Sequence, residues 1–123
     1  MDIRTKNTVA KGISGESVAA DFLKGLGYWI EDRNFKTAMG EIDIVARDGV
    51  YLVFVEVKAR KNADFGQACE YITVSKMKKL SYTASSYINK YMLFESDVRF
   101  DVIEVYTDSG QINHIINAFN SYL

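Results

Sequence analysis

The sequence predicts an α/β fold, a central mixed β-sheet flanked by helices, with elements in the order αβββαβ. Three observations carry that expectation. Residues 14–27 hold Val18, Ala19, Phe22, Leu23 and Leu26 at helical spacing and end on Gly27. Two runs, Glu41-Ile42-Asp43-Ile44-Val45-Ala46 and Tyr51-Leu52-Val53-Phe54-Val55-Glu56-Val57-Lys58, flank Asp48-Gly49, a strong signal for a tight hairpin turn. A second amphipathic stretch starts near Ser75, with Met77, Leu80, Ala84, Tyr87, Ile88 and Tyr91 along one stripe.

Taken in order, residues 1–13 are polar and read as a flexible N-terminal segment. Residues 14–123 are then a single domain, long enough to bury its own core. Ser14 is the N-cap candidate of the first helix and Gly27 its terminating glycine. Glu16 falls in the first turn, at the border of the apolar stripe. Residues 28–35 form the first strand. The two hairpin strands carry apolar residues on both faces, so both sides of the sheet should be covered. Residues 98–106 form the next strand. Asp108-Ser109-Gly110 turns the chain into a last extended piece, residues 112–119, whose end is open to helix.

Composition bounds the function. A chain that is 48% hydrophobic and 25% charged is an ordinary soluble globular protein. One cysteine, Cys69, excludes an internal disulfide and a thiolate metal cluster, and suits a reducing compartment. One histidine, His114, excludes a histidine metal cluster. No signal-peptide core and no bilayer-length apolar run is present, so the expected location is cytoplasmic, without membrane. The net charge of −1 gives no global basic field for nucleic acid. Enzymes that approach phosphate through divalent cations remain compatible, because their clustered carboxylates lower the charge.

The hairpin carries the chemistry. A two-residue Asp48-Gly49 turn would pair Arg47 with Val50, setting Asp43 opposite Phe54 and Glu41 opposite Glu56. Side chains alternate with period two, so Glu41, Asp43, Glu56 and Lys58 would share one face. Asp43 and Glu56 would be diagonal neighbours, with β-carbons about 7–8 Å apart. Carboxylates gathered on an apolar sheet are costly unless neutralised, and hard oxygen ligands select Mg²⁺ or Mn²⁺. Glu16 could add an oxygen from the first helix. Lys58 would place a positive charge beside the attacking water or a phosphorane-like transition state. The reaction implied is phosphodiester hydrolysis. A Glu-x-Lys step at a strand end also arises from plain cross-strand salt bridges, and the spacing alone leaves that open.

Gly40-Glu41-Ile42-Asp43 followed by Val53-Phe54-Val55-Glu56-Val57-Lys58-Ala59-Arg60 resembles the PD-(D/E)xK nuclease signature. More closely, the chain resembles the YraN-like family of bacterial proteins, regarded as predicted endonucleases related to archaeal Holliday-junction resolvases. The match runs over residues 12–120, through Gly15-Glu16, Gly27-Tyr28, Arg33-Asn34, Phe65-Gly66, Lys76, Arg99-Phe100-Asp101 and Asn117-Ala118-Phe119. The resemblance implies a restriction-endonuclease-like core, with Asp43 and Glu56 as metal ligands and Lys58 as catalytic lysine. Glu16 matches the helix-borne acid of the resolvase-like branch. Ile42 stands where the motif has proline.

Arg60, Lys61 and Lys76 are candidate phosphate contacts, Lys76 because the family pattern also has lysine there; a solvated strand end accounts equally for Arg60 and Lys61. Residues 62–67 read as a flap over the site or as a surface loop. Asp101 is expected to pair with Arg99, Arg33 or a backbone group, and Cys69 to be buried. Phe54, Phe100, Tyr87 and Tyr91 occupy core-type positions rather than base-stacking ones. The leading expectation is a metal-dependent endonuclease acting on DNA, including branched or structured DNA, with a homodimer supplying two active sites. The alternatives are a non-catalytic nucleic-acid-binding module on a nuclease scaffold and a protein-interaction domain.

Overall fold

Long apolar strands need a helix on each side, and the chain supplies one before and one within its sheet. The structure is a computed structural model that describes residues 15–62 and 72–122. The N-terminal segment, Ser14, the loop beyond Asn62 and Cys69 lie outside the described residues. Helix α1 spans Gly15–Gly25 and buries Ala19, Ala20 and Leu23. It closes at Gly27, whose φ of 93° is the left-handed conformation that glycine tolerates. There Tyr28 N–H donates to the Leu23 carbonyl and Gly27 N–H to that of Lys24, each at 3.0 Å, satisfying the last carbonyls.

Strands β1 (Trp29–Thr37), β2 (Gly40–Asp48) and β3 (Tyr51–Arg60) form an antiparallel meander. Helix α2 (Val74–Tyr91) lies in the crossover to β4 (Asp97–Tyr106), which runs parallel to β3. Thr73 caps α2, its side chain accepting from Lys76 N–H at 3.1 Å. The last piece stays extended as β5 (Ile112–Phe119), antiparallel to β4. The sheet order is β1-β2-β3-β4-β5. This mixed sheet between two helices is the α/β architecture expected of a restriction-endonuclease-like core. No described helix is long and apolar enough to cross a membrane.

Both faces are covered. α1 packs on Ile44, Ala46, Val53, Val55, Ile103 and Val105. α2 brings Leu80, Ala84 and Tyr87 onto Val45, Leu52, Phe54 and Phe100. Tyr91 departs from its expected core position: it is 45% exposed, although its ring meets that of Tyr87 at 4.7 Å.

The hairpin turn differs from expectation by one position. Asp48 pairs with Tyr51, so the two turn residues are Gly49 and Val50. Gly49 has φ 58° at the first turn position, the geometry a type II′ turn reserves for glycine. Asp48 is held in the strand by Arg99, whose Nη1 donates to its Oδ2 at 2.9 Å. The pairing therefore moves by two residues, and an even shift by itself leaves the paired side chains on their expected faces.

Arg99 is also the hub of a buried network. It donates to Asp101 through Nε at 2.9 Å and Nη2 at 3.0 Å, and to Tyr28 Oη at 2.7 Å. Asp101 further meets His114 Nε2 at 2.8 Å and accepts from Asn117 N–H at 3.0 Å. Burial would raise the Asp101 carboxyl, but His114, Arg99 and the Asn117 amide outweigh it and hold it below the ordinary range. Such a carboxylate stabilises the fold above its unfolded pKa, and the contribution fades as pH falls through the lowered value. Asp101→Ala is therefore expected to cost about 3–5 kcal/mol at neutral pH, since it strands a buried guanidinium. Urea unfolding should show the gap shrinking in acid; a neutral-pH cost typical of an exposed pair would contradict the network's role.

Candidate functional site

The site forms where the β2–β3 ladder ends. Backbone pairing runs from Asp48↔Tyr51 to Ile44↔Val55 and stops. Beyond that point β2 pairs only with β1, down to Gly40, while β3 pairs with β4 as far as Arg60. The sheet is thus open between them, and the next residues on each side are Asp43 and Glu56. Asp43 occupies the gap: its Oδ2 accepts the Val57 N–H at 2.8 Å, replacing the missing carbonyl partner. The two-residue change in register sets Asp43 level with Glu56 instead of diagonal to it.

A turnover of the β1–β2 hairpin accompanies the gap. Arg33 reaches α1, whereas Phe35, two residues on, packs against Tyr87 of α2. On β2, Ile44 belongs to the α1 side and Ile42 to the α2 side. Between Arg33 and Phe35 lies Asn34, at φ 58°, a conformation asparagine adopts more readily than other non-glycine residues. By strand alternation the turnover separates Glu41 from Asp43, correcting the expectation that both share a face.

The acids are differently held. Glu56 is buried, with Lys76 Nζ 3.3 Å from its Oε2, so α2 delivers the expected lysine into the site itself. Glu16 arrives from α1, but its Oε1 accepts from Arg33 Nε at 3.0 Å and Asn34 Nδ2 at 2.9 Å. Asp43 carries the strain: burial raises its carboxyl to about 7, with the Val57 amide opposing and Glu56 and Glu16 adding to the rise. Among the described residues no three acidic, histidine or cysteine side chains converge into a ready-made metal cage.

Lys58 lies on the Glu56 side of β3, because Val57 and Ala59 face α1. Its ammonium has no ion-pair or hydrogen-bond partner among the described residues. Arg60, on the same face as Lys58, is drawn sideways to β4, its Nε donating to Glu104. Glu104 is fully buried and also accepts from Tyr106 Oη at 2.6 Å and Asn113 Nδ2 at 3.1 Å. Burial pushes that carboxyl up, but Tyr106, Asn113 and Arg60 together hold it low. Lys61 is exposed at the strand end.

The structure thus brings Asp43, Glu56, Lys58 and Lys76 together, sets Glu16 alongside, and draws Arg60 toward Glu104. Three contributors escaped the sequence reading. Arg33 and Asn34 orient Glu16, and Asn34 inside a strand was the available signal, since asparagine is disfavoured there. Glu104, an acid within Val102-Ile103-Glu104-Val105, was equally visible as a buried charge in need of partners.

A carboxyl raised from 3.8 to about 7 keeps a proton in the folded state that the unfolded chain releases. Its contribution to stability therefore declines as pH rises through that window. Asp43→Asn removes the effect. Thermal melts should show the variant near parity with wild type in acid and increasingly more stable toward and above neutrality. A gap independent of pH would contradict the strained carboxyl.

Comparison with known proteins agrees with the motif reading. Residues 15–105 match the family described as uncharacterised protein family UPF0102. A UPF0102 protein of Clostridioides difficile (strain 630) is 46% identical over 113 residues, spanning 92% of this chain and 99% of that relative. One from Geobacter sulfurreducens is 43% identical over 111 residues, spanning 88% of this chain and 87% of the relative. One from Caldicellulosiruptor saccharolyticus is 43% identical over 112 residues, spanning 88% and 95%. With three quarters of its length matched by the family and relatives aligned almost end to end, the chain belongs to UPF0102, the YraN-like family its motifs resemble.

Proposed function

We propose that this protein is a Mg²⁺- or Mn²⁺-dependent endonuclease that hydrolyses phosphodiester bonds in DNA, with branched or otherwise structured DNA as its preferred form. The observation that carries this reading is the Asp43–Glu56 pair in the open fork of the sheet, with Lys58 beside it. A buried Glu56 beside a half-buried Asp43, whose carboxyl is raised to about 7, forms a donor set that a cation would relieve. Mg²⁺ is commonly held by one or two carboxylates, with water and substrate phosphate completing its shell. Asp43 and Glu56 fit that pattern, and Glu16 is near enough to add its field. When bound, the ion would polarise a phosphoryl oxygen and acidify a water.

The protein's own groups supply the rest. The Val57 amide fixes one Asp43 oxygen and leaves the other to face the site. Lys76 neutralises Glu56 before substrate arrives and is positioned to turn to a phosphate. Lys58 supplies charge where the pentacoordinate phosphorus gathers negative charge, a role that needs an unpaired ammonium. Lys61, and Arg60 if released from Glu104, would meet flanking phosphates. A four-way substrate requires two such sites and hence a homodimer.

The Lys76–Glu56 ion pair also favours a second reading, a DNA-binding module in which that lysine stands where an ion would act. It predicts salt-sensitive, metal-independent binding without cleavage. The test is incubation with Mn²⁺ or Mg²⁺ and a labelled panel of single-stranded, duplex, flapped and four-way DNA, plus RNA. Wild type is expected to cut DNA, and Lys58→Ala to slow cutting by about 100-fold or more. Asp43→Ala should remove cutting while leaving the fold intact. Cleavage retained by both variants would overturn the mechanism.

A further inference from the structure

Along the first turns of α2 lies a groove of about 710 Å³, walled by Met39, Val74, Lys78, Lys79, Tyr82 and Tyr122. Its lining is mainly apolar, and no acidic side chain among the described residues contributes to it. Tyr82 and Tyr122 are each 47% exposed, where Tyr87 on the same helix is only 3% exposed. Phe54, Tyr87 and Phe100 spend their faces on one another in the core. The Tyr82 and Tyr122 rings pair with no other aromatic ring among the described residues, and the Lys78 and Lys79 ammonium groups have no partner there either.

The groove adjoins the strand that carries Asp43 and the helix that carries Lys76. Lys79 packs so closely on Gly40 that a β-carbon there would lie 3.6 Å from the lysine's own. Gly40 opens the strand that presents Asp43, and Lys76, at the start of the same helix, reaches Glu56. Three residues, ~4.5 Å along the axis, separate Lys76 in the site from Lys79 on the groove.

Open aromatic faces beside unpaired cations, with no acid among the described lining residues, suit single-stranded nucleic acid, which binds by base stacking along a positive track. Paired bases hide their faces within the duplex stack, so only an unpaired strand can use both tyrosines. We propose that this groove takes unpaired nucleotides of a DNA strand adjoining the scissile phosphate, with bases on Tyr82 and Tyr122 and phosphates on Lys78 and Lys79. The inference rests on the nuclease reading above and narrows it: the substrate is DNA with an unpaired arm or flap, in preference to continuous duplex.

Fluorescence anisotropy tests this with the full chain in EDTA, using a labelled thymidine oligonucleotide, its RNA counterpart and a duplex. Tyr82→Ala and Tyr122→Ala are each expected to weaken single-strand DNA binding by about tenfold, within the range for loss of one stacked base. Tyr82→Phe should bind as wild type, and duplex binding should be unchanged in all three, each confirmed folded by its thermal melt. Equal losses on duplex, no loss on the single strand, no wild-type binding, or a preference for the RNA would each overturn the groove's assignment. The cleavage panel separates the two readings. If wild type never cuts but the tyrosine effects persist, the groove binds unpaired DNA and the nuclease reading falls alone. If cutting depends on Asp43 while the tyrosine variants bind and discriminate as wild type does, the groove assignment falls alone.

Discussion

Where β2 and β3 stop pairing, beyond Ile44 and Val55, two carboxylates are left to share a fork in the sheet. Most of the surrounding structure can be read as the means of keeping them there. Asp43 substitutes a side-chain oxygen for the missing backbone acceptor of Val57, which anchors it in a half-buried position. Glu56 follows four consecutive buried residues, Leu52 through Val55, so it cannot move to solvent without moving the core strand. Lys76 brings partial neutralisation from α2, and Glu16 is kept at a distance by Arg33 and Asn34. The pair stays tense, with Asp43 raised to about 7. That tension is what the cation proposed for the site would relieve.

The rigid part of the molecule stands on either side of this fork. At the far end of the hairpin, Arg99 clamps Asp48 and Asp101 together and so sets the turn on Gly49 and Val50. That turn fixes the register that makes Asp43 level with Glu56. On the other flank, β3 and β4 pair in parallel along their length, and Glu104 ties Arg60, Tyr106 and Asn113 together beside Lys58. Both networks place fully satisfied charges inside the sheet, where partial satisfaction would be worse than an apolar core. They hold in place the strands that carry the site.

Much of this was legible in the chain. Apolar residues on both faces of residues 51–55 required two covering helices, and the two amphipathic stretches supplied them. The matched face of Asp43, Glu56 and Lys58 survived an incorrectly placed turn, because a two-residue shift preserves the side-chain period. The turn itself was ambiguous: Asp48-Gly49 suits a type I′ turn, while Gly49-Val50 suits type II′, and the deciding contact comes from Arg99, distant in sequence. The turnover at Asn34 was not legible, since a single residue at positive φ reverses the alternation that strand reading assumes. Lys76 was legible as a candidate phosphate contact, though not as the partner of Glu56, because helix α2 meets the sheet only once the crossover has formed.

The central claim is that the fork between β2 and β3 is a cation site, and metal binding tests it without reference to any substrate. The measurement is Mn²⁺ binding by electron paramagnetic resonance for wild type, Asp43→Asn and Glu56→Gln, on both sides of the Asp43 pKa of about 7. The account predicts specific binding to wild type that strengthens as pH rises through that value and is lost in both variants, all three remaining folded. Binding unchanged by either substitution, or no binding to wild type above that pH, would contradict it.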